Sequence, residues 1–179
     1  MTCSIFLAAM SRLLPHPPNF TPVAAMAFFG GACFTNKKIA FIVPLLIMFI
    51  SDSVLELISG IGFHNTMLYV YVSFVLITMI GIFIRNNISI RTVILGSLIS
   101  SMLFFLITNF GVWASLGFVK GLHGLLVVYL TGIPFYSNDI FGSFFLNTIM
   151  GDMFYCGTLF VAFYFVKSKF LSRTEIELQ

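Results

Sequence analysis

Charge is scarce in this chain. Only 8% of its 179 residues are Asp, Glu, Lys or Arg, against 59% hydrophobic and 17% aromatic. A protein of this size cannot hide so much apolar surface in one soluble core, which excludes a soluble globular domain and leaves an integral membrane protein. Cysteine is sparse too. Cys3, Cys33 and Cys156 stand alone with no C-x-x-C pair, which excludes a disulfide framework and leaves them as small packing residues. No Walker motif, Gly-rich phosphate loop or nucleophile elbow occurs, so the chain carries no visible means of using ATP. His16, His64 and His123 lack any H-x-x-x-H spacing, so a metal site has little support and no cofactor is implied. The net charge of +3 is spread along the chain rather than gathered in a patch, which argues against a nucleic-acid partner.

What the chain does have is apolar runs. A hydrocarbon slab about 30 Å thick needs roughly 20 apolar residues per helix. Breaks at charges, Gly, Pro and Asn divide the sequence into spans near 2–14, 20–34, 39–59, 67–84, 92–113 and 141–166. The first two are short. Arg12 follows the first apolar stretch instead of preceding it, so that stretch reads as a retained helix rather than a cleaved signal peptide. The expected fold is all-α: one compact bundle of six transmembrane helices in a single domain over residues 1–179, embedded in the inner (plasma) membrane.

The basic residues orient this bundle. With the N-terminus cytoplasmic, Lys37, Lys38, Arg85, Arg91, Lys167, Lys169 and Arg173 fall on inner connections, and only Arg12 and Lys120 fall outside. Short cytoplasmic loops carry the Lys and Arg excess. Both termini are therefore expected in the cytoplasm.

An ionisable group within a span is costly and normally faces the bundle interior or a wet cavity. Asp52 and Glu56 lie four residues apart on one helix face, roughly 21 Å and 27 Å up from Lys38, and hence in the outer half. Asn109 lies roughly 27 Å from Arg91, with Trp113 one turn further on the same face. Asn19 sits at the outer mouth of the second span, where its amide either caps the helix or meets a ligand. Asp152 lies roughly 15 Å below Gly142, near the midplane. No Lys or Arg is in view at a depth to pair with Asp52 or Asp152, so both are expected to be unpaired. The plain alternatives are a solvated Glu56, an interfacial Trp113, and acids that hydrogen-bond neighbouring helices.

The segment 114–140 is long, Gly-rich and half apolar, with Gly117, Gly121, Gly124 and Gly132. It reads as a loop holding one short helical piece near Leu122 to Thr131, either capping an outer pocket or lying at the interface with Tyr129 and Phe135 as anchors. Gly30 and Gly31, with Ala24, Ala25 and Ala27, make the second span a small-residue helix that neighbours can approach closely.

Pro15-His16-Pro17-Pro18-Asn19-Phe20-Thr21-Pro22-Val23, then Ala25 to Ala32, Asp52, Asn109-Phe110-Gly111-Val112-Trp113, Gly132-Ile133-Pro134-Phe135 and Asn147 to Asp152 together resemble an uncharacterised family of small bacterial membrane proteins, a domain of unknown function. The short spans, the small-residue second helix and the acid late in the third span also resemble substrate-binding S components of energy-coupling-factor transporters. That second resemblance implies a pocket facing outward and a separate transmembrane coupling protein with paired ATPase subunits. The first span departs from that superfamily's Ala-x-x-x-Ala coupling signature, offering only Ser4 and Ala8.

The expectation is a non-enzymatic, solute-binding membrane subunit of an uptake system for a vitamin-like, amine or metal solute, with Asn19, Asp52, Glu56, Asn109, Trp113 and Asp152 as its substrate-binding residues. Unpaired acids and an aromatic ring would suit a cationic solute. The alternative from another class is a non-catalytic scaffold or assembly protein of the cell envelope, its small-residue faces binding partner helices. An intramembrane enzyme would need a nucleophile or metal that the sequence does not offer.

Overall fold

A computed structural model describes residues 2–17, 19–60, 62–115, 120–133 and 144–176. Seven α-helices account for most of them: α1 (Thr2–Met10), α2 (Val23–Cys33), α3 (Lys37–Ser59), α4 (Met67–Ile84), α5 (Ile90–Ser115), α6 (Leu122–Thr131) and α7 (Phe144–Ile176). A 3-10 turn, Ser11–Leu13, follows α1, and no strand occurs among the described residues. The local chemistry fits these limits. Asn36 caps α3, its side-chain oxygen accepting from the N–H of Lys38 at 2.9 Å, and Gly60 ends the helix in the left-handed conformation with its N–H on the Glu56 carbonyl.

Among the described residues four helices are long and apolar enough to cross a membrane: α3, α4, α5 and the Phe145–Ser168 part of α7. Only 28% of each apolar stretch is buried inside the protein. The rest, including Leu57, Phe83, Ile90 and Tyr164, presents apolar surface outward, as lipid contact requires. The spans expected at 2–14 and 20–34 correspond to α1 and α2, which are 9 and 11 residues long and fall short of that length. Residues 141–143 of the expected last span, and residues 116–119 and 134–140 of the expected loop with its anchor Phe135, lie outside the described residues. The helical piece expected near Leu122 to Thr131 is α6.

The centre of the bundle is α2, where every residue from Val23 to Cys33 is buried. Such a helix needs neighbours that fit against its backbone, and glycines supply the fit. A Cβ on Gly31 would run into the Thr78 carbonyl of α4, and a Cβ on Gly81 of α4 into the Phe28 carbonyl of α2. The two helices therefore meet backbone to backbone. Gly30 makes room for the Pro44 ring of α3, and Gly96 of α5 for the Phe28 ring. Phe29 packs on Phe160 of α7 at 5.2 Å between ring centres.

A short helix buried in protein leaves orphan N–H and C=O groups at its ends. Both ends of α2 are met by polar side chains from elsewhere, a guanidinium at one and a carboxyl group at the other. At its C-terminus Arg85 donates to the carbonyls of Phe34 (2.6 Å), Gly31 (3.2 Å) and Thr35 (3.3 Å). At its N-terminus the Asp152 carboxylate of α7 accepts from the Ala25 N–H at 3.2 Å. A cation at the carbonyl end and an acid at the amide end complement the helix dipole. That explains how an 11-residue helix is held at the centre of a largely apolar bundle.

Candidate functional site

At the end of the bundle opposite Lys37, Lys38, Arg85 and Arg91 lies a cavity of about 420 Å³, within the size range of small-molecule sites. Its wall is assembled from seven parts of the chain. The turn after α1 gives Arg12, the approach to α2 gives Asn19, Thr21 and Val23, and α3 gives Met48 and Asp52. His64 and Thr66 come from the α3–α4 connection, with Met67 and Val70 from the start of α4. The far half of α5 contributes Phe104, Thr108, Asn109 and Val112, while Val128, Thr131 and Gly132 come from α6 and its end.

The charged feature of this wall is an ion pair. Arg12 Nη1 lies 2.7 Å from Asp52 Oδ1, 2.7 Å from Ser51 Oγ and 3.0 Å from Met48 Sδ. The Tyr71 hydroxyl donates to the other Asp52 oxygen at 3.1 Å. Both partners are sheltered, with 14% of the Arg12 side chain and 2% of Asp52 exposed. This overturns the expectation that no cation could reach Asp52. α1 stops at Met10 and the 3-10 turn carries Arg12 back over the end of α3, where Ser11 is tied to Tyr155 of α7 at 2.8 Å. A residue expected on an outer connection is thereby turned inward, and the argument for a cationic solute loses its unpaired acid at Asp52.

Asp152 is also matched on both oxygens. Ser101 Oγ of α5 donates to Oδ2 at 2.7 Å, and the Ala25 N–H donates to Oδ1. Its neighbour Gly151 makes this possible, because a Cβ there would lie 3.1 Å from the Thr21 nitrogen and 3.2 Å from Phe20 Cα. The Gly151-Asp152 pair thus brings α7 against the chain entering α2 and caps that helix from outside. Asp152 is buried and does not line the cavity.

Asn19, Asp52 and Asn109 are brought together on the cavity wall. Asn19 holds a left-handed backbone (φ 61), which Asn tolerates better than most residues. It does not cap α2, whose N-cap is Pro22 with no side-chain capping bond. Asn109 donates from Nδ2 to the Phe105 carbonyl at 2.8 Å, which leaves its Oδ1 for other partners. Glu56 and Trp113 do not line the cavity. Glu56 Oε2 accepts from the Phe63 N–H at 3.0 Å and so fastens the α3–α4 connection to its own helix. The Trp113 ring packs on Phe110 at 5.4 Å, with Lys120 Nζ 5.8 Å from its centre. Tyr129 of α6 anchors to α5 by donating to the Leu106 carbonyl at 2.6 Å, and burial raises its hydroxyl pKa above the ordinary value. Among the described residues no three His, Cys, Asp or Glu side chains converge as a metal site would require. His64 lines the cavity, whereas His16 and His123 are exposed elsewhere.

Arg12, Thr66 and Thr108 are site residues that the sequence reading passed over. Arg12 carried a signal, because it stands three residues before the Pro-rich string that ends in Asn19 and is one of only two basic residues away from the basic end.

The class defined so far is an all-α protein with membrane-length helices and a polar-lined cavity at one end. The family of unknown function DUF6580 matches residues 1–175, so the chain belongs to that family. No curated protein and no solved structure matches it.

Proposed function

We propose that this protein is the solute-binding subunit of an uptake system for a small molecule, a non-enzymatic multi-pass protein of the inner membrane. The cavity carries this reading. It joins apolar walls to a few convergent polar groups, Arg12, Asp52, Asn19 and Asn109, as small-molecule sites do. It lies at the end of the bundle away from the basic connections, which the excess of Lys and Arg assigns to the outside. On this topology the chain crosses six times, α1 and α2 being short crossings sheltered by the longer helices, and both termini are cytoplasmic. The lack of any ATP-binding motif supports a division of labour in which a transmembrane coupling protein and paired ATPases supply energy, as the likeness to S components implies.

Native mass spectrometry of protein gently extracted from its own membrane tests this reading. The expected result is a bound small molecule, with a coupling protein and ATPases retained. An empty protein that co-purifies with envelope-synthesis enzymes would overturn it in favour of a scaffold. The orientation has its own test: a cysteine placed at Lys37 should resist a membrane-impermeant thiol reagent added from outside, and labelling there would reverse the topology.

A further inference from the structure

The Arg12–Asp52 pair is unevenly satisfied. A guanidinium carries five N–H donors in a planar fork. Every contact of Arg12 uses Nη1, which meets Asp52, Ser51 and Met48. The three donors on Nη2 and Nε have no partner among the described residues. The carboxylate has both oxygens engaged, one by Arg12 and one by Tyr71. The three open donors are not sealed inside the protein: Arg12 lines the cavity, and its open edge can meet an acceptor there.

One neighbour on the same wall adds to these donors. The Asn19 side chain, which has no partner among the described residues, offers two further donors. Thr21, Thr66, Thr108, Thr131, His64 and Asn109 also line the wall and can give or take hydrogen bonds, so its charge is set by the ion pair: among the described lining residues Arg12 is the one Arg or Lys and Asp52 the one acid. Phe104, Val112 and Val128 line it with apolar surface.

We propose that the cavity binds a small carboxylate-bearing solute, its carboxylate seated on the open Nη2 and Nε edge of Arg12 and its apolar body among Phe104, Val112 and Val128. This rests on the proposed function in that it takes the cavity to be a binding site. A carboxylate suits the fork because its two oxygens match two parallel N–H groups and it has no proton to donate. Asp52 then acts as a positioning residue. It holds Nη1 so that the rest of the fork stays aimed at the solute.

Two matched probe series test the assignment on the whole protein in lipid nanodiscs, read by calorimetric titration: benzoate, benzylamine and benzyl alcohol, and hexanoate with its amine and alcohol. The carboxylate of each series should bind about tenfold or more tighter than the other two. Arg12→Lys keeps a cation beside Asp52 but loses the fork, and should lose most of that preference. Arg12→Gln combined with Asp52→Asn removes both charges, sparing the fold an unpaired buried acid, and should abolish it. Tighter binding of an amine or alcohol, or a carboxylate preference that survives in the double variant, would overturn the assignment while leaving a binding cavity in place. Binding of none of the six would overturn both readings.

Discussion

The two ends of this bundle solve the same problem in opposite ways. Toward the basic end, α2 and α4 touch backbone to backbone through Gly31 and Gly81, and Arg85 covers the last carbonyls of α2, so these helices close on one another. At the other end the helices are kept apart. The turn carrying Arg12, the connection carrying His64 and the end of α6 each contribute polar side chains to a cavity of about 420 Å³. Close glycine packing makes a rigid frame, and the rigid frame lets the opposite end stay open without collapsing.

The two buried acids sharpen the contrast. Asp152 and Asp52 are 1% and 2% exposed, yet Asp152 serves the closed frame by capping α2 and Asp52 serves the open end by holding Arg12. One is a fastening between helices. The other holds a cation beside a cavity.

Substitutions can break this division, beginning with the frame. Gly31→Val or Gly81→Val places a side chain inside the facing backbone, and we expect a loss of more than about 4 kcal/mol. Size-exclusion profiles of such variants in detergent should show aggregate; a monodisperse, thermally unchanged protein would refute the backbone contact. Arg12→Ala should come next, at about 3 to 5 kcal/mol, because it strands a buried carboxylate. A thermal-denaturation double-mutant cycle with Asp52→Asn should recover much of that loss. If the two losses simply add, Arg12 and Asp52 are not coupled.

A smaller effect belongs to Asp152. Asp152→Asn keeps the shape but weakens the bond to the α2 amide and its dipole, at a cost of about 1 to 2 kcal/mol, with solute affinity nearly unchanged. Asp52→Asn should change affinity more than it changes stability. Reversal of these two patterns in parallel melting and titration measurements would show that the cavity assignment is misplaced. Glu56→Gln should be the mildest, within about 0.5 kcal/mol, since a half-exposed amide can still accept from Phe63. A large loss of solute affinity in that variant would place Glu56 in the site after all.

Much of the frame was legible in the sequence. The run 67–84 is α4, from Met67 to Ile84, and the piece expected near Leu122 to Thr131 is α6, because apolar runs with Gly and Pro breaks act within one segment. The small-residue character of the second span also pointed to close packing, which Gly31 and Gly81 display. The site was legible only in part. Asn19, Asp52 and Asn109 meet on one wall, but Trp113 does not join Asn109 there: Val112 still lines the cavity, and the next residue turns about 100° around the helix axis. That rotation carries Trp113 away from the cavity to Phe110 and Lys120. Depth counting placed Asp152 without revealing its partners, because Ser101 and Ala25 belong to helices whose rotation about their axes the count does not fix.

Sequence alone determined the material: apolar runs too long and too poor in charge for water, basic residues gathered at one end, and small residues where a central helix had to be approached. These follow from transfer free energies and local sterics, which act residue by residue. Only the tertiary structure decided that Arg12 meets Asp52 and that Asp152 caps α2. Those pairings span 40 and 127 positions of the chain, and a contact between distant segments exists only once packing has fixed which faces of the helices meet.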